Sequence, residues 1–154
     1  MTLAPAGATA GHRLGSRGQS LTEFAIVFPI FMLLLGGIIQ FGIIFWGQNT
    51  LTQVVRDTGR WAATQQQCTD PEPIIATANQ IAAQSSLIGY AAGSWTSTDV
   101  TVGWTGTPCP PTSNQEVAWV TISVIHQVPI FFPWIPGNGS ISSTTEFRME
   151  PAPR

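Results

Sequence analysis

Few side chains in this sequence are equipped for chemistry. Cys68 and Cys109 are its only thiols, and neither has a histidine or a second cysteine at metal-ligand spacing. Mutual oxidation to one disulfide is the natural chemistry of such a pair, and it requires an oxidising compartment outside the cytoplasm. The alternative is two unpaired, buried thiols acting as small hydrophobes. The histidines are His12 and His126, and no nucleophile motif, metal-ligand cluster, phosphate loop or dinucleotide fingerprint accompanies them. No cofactor, no metal site and no small-molecule substrate are expected. The remaining candidate is Glu23, a carboxylate set against the start of a long apolar run in Gly18-Gln19-Ser20-Leu21-Thr22-Glu23-Phe24.

That run decides the organisation of the chain. Among 154 residues there are only six basic and eight acidic side chains, for a formal net charge of −2, and no basic patch of the kind a nucleic-acid binder carries. From Phe24 to Val55 not one side chain is ionisable. As a helix, Phe24–Trp46 rises about 34 Å against a hydrocarbon thickness of roughly 30 Å, so it is long enough to cross a bilayer. A secretory signal has a shorter apolar core followed by small residues at a cleavage site, whereas this run ends in Phe45 and Trp46. A buried core helix would need protein on every face, more than this small chain supplies. Within the span, Pro29 removes a backbone donor, Gly36, Gly37 and Gly42 offer flat surfaces for a neighbour, and Gln40 can hydrogen-bond across an interface. Arg13 and Arg17 before the run and Arg56 and Arg60 after it balance, so the charge rule leaves orientation open. The cysteines favour an external C-terminus.

A carboxylate within a membrane helix costs on the order of 3 kcal/mol unless it is neutralised or reaches the interface. A cut between Gly18 and Gln19 would supply compensation. The new α-ammonium of Gln19 would lie one helical turn from Glu23, and the helix N-terminus favours the same negative charge.

The stretch from Gly18 to Phe24 resembles a type IV prepilin processing site, with glycine before the cut and glutamate as the fifth residue of the mature chain. The wording RGQSLTEFAIVFPIFMLLLGGIIQFG, followed by NTLTQVVRDTGRWAA, is similar to the TadE-like pseudopilins of the tight-adherence (Flp) pilus system. Many members carry tyrosine where Phe24 stands. The resemblance implies processing at Gly18, Gln19 and Glu23 by a prepilin peptidase at the cytoplasmic face. It also implies a cleavable leader over residues 1–18, read from its composition as disordered, and a cytoplasmic N-terminus. The implied partners are membrane lipid, the peptidase, and other pilins or Tad assembly proteins; the implied location is a bacterial cell membrane, with entry into the pilus left open. Glu23 as an ordinary interfacial residue of a single-pass anchor is the plainer alternative.

Past the span, Leu51, Val54, Val55, Thr58, Trp61 and Ala62 recur on one stripe, with Gln53, Asp57 and Arg60 on another, which predicts that the helix continues to about Gln67. Gly59 is expected to weaken it. A second helix is predicted within residues 68–90, with Asp70 as cap, Pro71 in the first turn and Gly89 at the stop, its buried stripe being Ile74, Ala78, Ile81, Ser85 and Ile88. Alternation with period two then marks three strands, around Val100 to Trp104, Val120 to Val124 and Ile141 to Met149. The fold class is therefore α+β and pilin-like: a long N-terminal helix over residues 19–67 with its span at 24–46, then an extracytoplasmic domain over 68–154 with a second helix and a small antiparallel sheet. The apolar, proline-rich connection over residues 128–139 reads either as a partner or membrane-interface contact or as a lid over the core.

Three classes of function fit these features: a minor pilin or pseudopilin acting in pilus assembly, initiation or adhesion, a membrane-anchored binding module for an extracellular ligand, and an anchored enzyme working through His126. The first is favoured, and a lone strand histidine is usually structural.

Overall fold

The computed structural model describes residues 15–132 and 139–151. Most of the expected leader, His12 with it, and the middle of the 128–139 connection lie outside the described residues. The chain forms two compact units, Met1–Gly37 and Ile38–Arg154. Its elements in order are α1 (Gly15–Ala63), α2 (Glu72–Gln84), β1 (Val100–Thr105), β2 (Trp119–Gln127) and β3 (Ser140–Arg148). The strands form one antiparallel sheet in the order β1-β2-β3, so the architecture is α+β as expected.

α1 contains 49 residues and includes Pro29 in its interior. It begins at Gly15, ahead of the expected cut, because adding a residue to an existing helix gains a hydrogen bond without a new nucleation cost. It ends at Ala63 rather than near Gln67, where the backbone tightens: Thr64 N–H donates to the Trp61 carbonyl and Gln65 N–H to that of Ala62. In the first unit every side chain from Ser20 to Leu35 is exposed, and the backbone closes in only at Gly36 and Gly37. In the second unit the helix carries the expected stripe. Leu51, Val54, Val55, Thr58 and Ala62 are buried while Gln53, Asp57 and Arg60 face solvent.

Two glycines bring this part of α1 against β3. A Cβ on Gly47 would lie 3.1 Å from Val128 and 3.3 Å from Ile141, and one on Gly59 would lie 2.5 Å from the Phe147 ring. Gly59 is thus a seat for an aromatic ring, not merely a weak point in the helix. Helix and strand run in the same direction, since Gly47 faces Ile141, Gly59 faces Phe147, and the Glu150 N–H donates to the Ala63 carbonyl. Twelve helical residues rise about 18 Å and six strand residues about 20 Å, so the contacts stay in step over the whole length.

α2 is shorter than expected and slightly rotated. The N-cap position is Pro71 rather than the expected Asp70, and no side chain caps the helix there; the Asp70 carboxylate, one residue earlier, accepts from the Glu72 N–H at 3.0 Å. The helix stops at Gln84 because Ser85 turns to extended backbone while its N–H still bonds Ile81 and Ala82 carbonyls. The buried stripe is Ile74, Ile75, Ala78 and Ala82, and Leu87 rather than Ile88 enters the core. On β2 the alternation is complete, with Val120, Ile122, Val124 and His126 buried and Trp119, Ile125 and Gln127 exposed. Cys68 and Cys109 are joined in a disulfide across 41 residues. The Met149 sulfur packs 3.7 Å from Cys68 Sγ and 3.6 Å from Cys109 Sγ, so the bridge, the end of α1 and the end of β3 meet at one pole of the core.

Candidate functional site

Gly18, Gln19 and Glu23 share one helical stretch at the head of α1. The backbone at Gly18 is open, with nothing within 4 Å of where a Cβ would stand. Its carbonyl accepts a 2.8 Å hydrogen bond from the Thr22 hydroxyl, so Thr22 ties the residue before the expected cut to the turn that carries Glu23. Glu23 itself is exposed. Beyond it the helix is long and apolar enough to cross a membrane once.

The apolar run Phe24–Trp46 contains one polar side chain, Gln40, which is 1% exposed. Its Nε2 donates to the Pro129 carbonyl at 3.2 Å, and its Oε1 accepts from the Phe131 N–H at 2.9 Å. A primary amide has a donor and an acceptor side by side, and an extended backbone offers the complementary pair two residues apart. Gln40 therefore holds the start of the β2–β3 connection as a neighbouring strand would. Gln48, two turns on, donates to the Ser142 carbonyl at 2.8 Å on the return limb, and Val128 and Gly139 close the connection across its base by N–H to carbonyl. The expected interface for Gln40 exists, and it lies within the same chain.

The second polar cluster escaped the sequence reading. Asn79 of α2 donates to the Trp95 carbonyl and accepts from the Trp95 N–H at 3.1 Å. The Tyr90 hydroxyl lies 2.8 Å from Asn79 Oδ1 and accepts from the Gly93 N–H. Trp95 Nε1–H donates to His126 Nδ1 at 3.3 Å, and His126 Nε2 lies 2.9 Å from the Ile88 carbonyl. An indole only donates and a carbonyl only accepts, so these contacts suit the tautomer that carries its proton on Nε2. Both nitrogens of His126 are thus engaged in holding the α2–β1 connection to the sheet. Single polar residues spread over three segments have no periodicity, and a buried position on β2 was the only available signal.

At the opposite end of β2, Glu116 accepts from the Thr112 hydroxyl and N–H and from the Ser113 N–H. Its carboxyl is held below the ordinary range chiefly by the Thr112 hydroxyl, then by the Thr112 N–H. Among the described residues no group of histidine, cysteine, aspartate and glutamate is arranged to hold a metal ion.

Sequence comparison converges on the head of the chain. The family model described as TadE-like protein matches residues 18–60. Over those residues the helix is similar to that family. The match opens at Gly18 and stays within α1, leaving α2 and the sheet outside it. This is the family that the stretch around Gly18 and Glu23 resembles. No curated protein and no solved structure matches the chain.

Proposed function

We propose that this protein is a minor pilin or pseudopilin of a bacterial Flp (Tad) type IV pilus, with a structural rather than an enzymatic role in assembly, initiation or adhesion. The observation that carries the proposal is the coincidence at one helix head. The TadE-like match begins at Gly18, five residues before a glutamate that opens a charge-free run. On this reading a prepilin peptidase cuts after Gly18 on the cytoplasmic side. The freed ammonium of Gln19 then compensates Glu23, in its own chain or in a neighbour. The span keeps the processed subunit in the bilayer with the disulfide-bonded domain outside the cytoplasm, where the bridge is stable. Other pilins and Tad assembly proteins are its partners, and the exposed apolar surface of α1 is where they pack.

Edman sequencing of the membrane-resident chain, from cells with and without the peptidase, tests the first step. Gln19 is expected as the first residue only when the enzyme is present, and an intact leader in its presence refutes processing. Glu23→Ala is expected to leave cleavage in place while lowering the yield of assembled fibre.

A further inference from the structure

The described start of the β2–β3 connection is tied to the apolar run of α1. Its backbone is clamped to Gln40, and Gln40 precedes Trp46 by six helical residues, about 9 Å along the axis. When Phe24–Trp46 spans a bilayer with Trp46 at the interface, the clamped segment lies below the headgroups, within the apolar layer. Irregular backbone at that depth is tolerated only when its polar groups are paired inside the protein. The Pro129 carbonyl and the Phe131 N–H are paired, and the amide that pairs them would itself be costly there without partners.

The surrounding side chains agree. Ile130 and Phe131 are 38% and 61% exposed, and in the same compact unit Ile38, Ile39, Phe41, Phe45 and Trp46 of α1 are exposed as well. No Asp, Glu, Lys or Arg occurs anywhere from Val117 to Thr145. The exposed apolar surface of the loop is thus joined, through Gln40, to the surface by which the helix meets lipid. We propose that the start of the β2–β3 connection is a second membrane contact, inserting Ile130 and Phe131 into the phospholipid leaflet on the side of the folded domain. This rests on the spanning role of α1 and goes beyond the pilin reading. It assigns a lipid-binding segment to the part of the chain outside the TadE-like match.

The test uses the full chain with its disulfide intact, reconstituted in phosphatidylcholine–phosphatidylglycerol vesicles with and without brominated acyl chains. Single cysteines carrying a polarity-sensitive fluorophore replace Phe131, Phe31 or Ser97, the last being an exposed turn residue of the domain. Brominated lipid is expected to quench the label at 131 about five-fold more than at 97, with iodide showing the reverse order. Gln40→Leu, which keeps the helix apolar but removes both hydrogen bonds, is expected to lower lipid quenching at 131 about three-fold while leaving 31 and 97 unchanged. Lipid quenching at 31 without quenching at 131 overturns the second contact and leaves the span standing. Absence of quenching at both overturns the span and the proposal together. A label at 131 shielded from lipid and iodide alike places another protein copy there and overturns the lipid assignment.

Discussion

The two parts of α1 have the same secondary structure and opposite surroundings. From Phe24 to Leu35 every side chain is exposed, yet nearly all are large and apolar. From Leu51 to Ala63 the helix is amphipathic, and its apolar stripe is closed by its own sheet. The difference teaches that one helix can serve two solvents. The distal part obtains its core from the chain itself, through β2, β3 and α2. The proximal part buries almost none of its apolar surface within the chain, and on the proposed function lipid or neighbouring subunits cover it. The residue types follow this division: Leu, Ile and Phe on all faces in the first, and a narrow stripe with Thr58 and the contact glycine Gly59 in the second.

Mutations sort along the same line when unfolding of the full chain is followed in detergent micelles. The largest effect is expected from Cys68→Ser with Cys109→Ser, which opens a closed loop of some 40 residues and removes about 4 kcal/mol of stability in the chain-entropy model. Circular dichroism should then show loss of the sheet while the helical signal of the proximal part persists. Loss of both signals together would break the comparison. Next, Leu51→Ala creates a void at a fully buried site and is expected to cost about 3 kcal/mol. The same change at Leu33, 58% exposed, should shift the transition by no more than about 0.5 kcal/mol.

A glycine pair sharpens the contrast further. Gly59→Ala drives a methyl group into the Phe147 ring and is expected to cost about 2 kcal/mol. Gly42→Ala meets nothing within 4 Å and should raise helix stability by about 1 kcal/mol, as read from the midpoint of thermal unfolding. Equal effects at both positions would mean that Gly59 is not a contact site. The smallest effect concerns Glu116. Because its carboxyl is held below the ordinary value, its contribution is fully present above the unfolded-state pKa and is lost as pH falls through the folded one. The melting temperature of Glu116→Gln should therefore lie slightly below wild type at neutral pH and converge with it in acid.

Much of this was readable in the residues, for identifiable reasons. The distal stripe of α1 and the alternation on β2 are periodic signals over several turns or residue pairs, so local counting found them. The end of α2 was misplaced because Ser85, not Gly89, leaves the helical conformation, and serine sends a weaker stop signal than glycine. Gln40 stood out as the lone polar side chain in its run, but its partner lies some ninety residues away on backbone atoms, which no side-chain pattern encodes. Asn79, Tyr90, Trp95 and His126 form a unit only after α2 and β2 have come together. Gly59 was read by intrinsic propensity, and the tertiary contact with Phe147 outweighed it. At the head of α1 the motif was visible without any structure, since proximity along the helix is proximity in sequence.

The parallel course of α1 and β3 has a mechanical consequence. Traction along the helix axis loads the seam from Gly47 to Ala63 in shear, with all of its contacts resisting at once, whereas force across the axis would open them one after another. Single-molecule pulling from the N-terminus against the end of β3 should meet a higher rupture force than pulling between the middle of α1 and the middle of β3. If the chain is a pilin subunit as proposed, drawing it lengthwise out of a bilayer would grip it along its strongest direction.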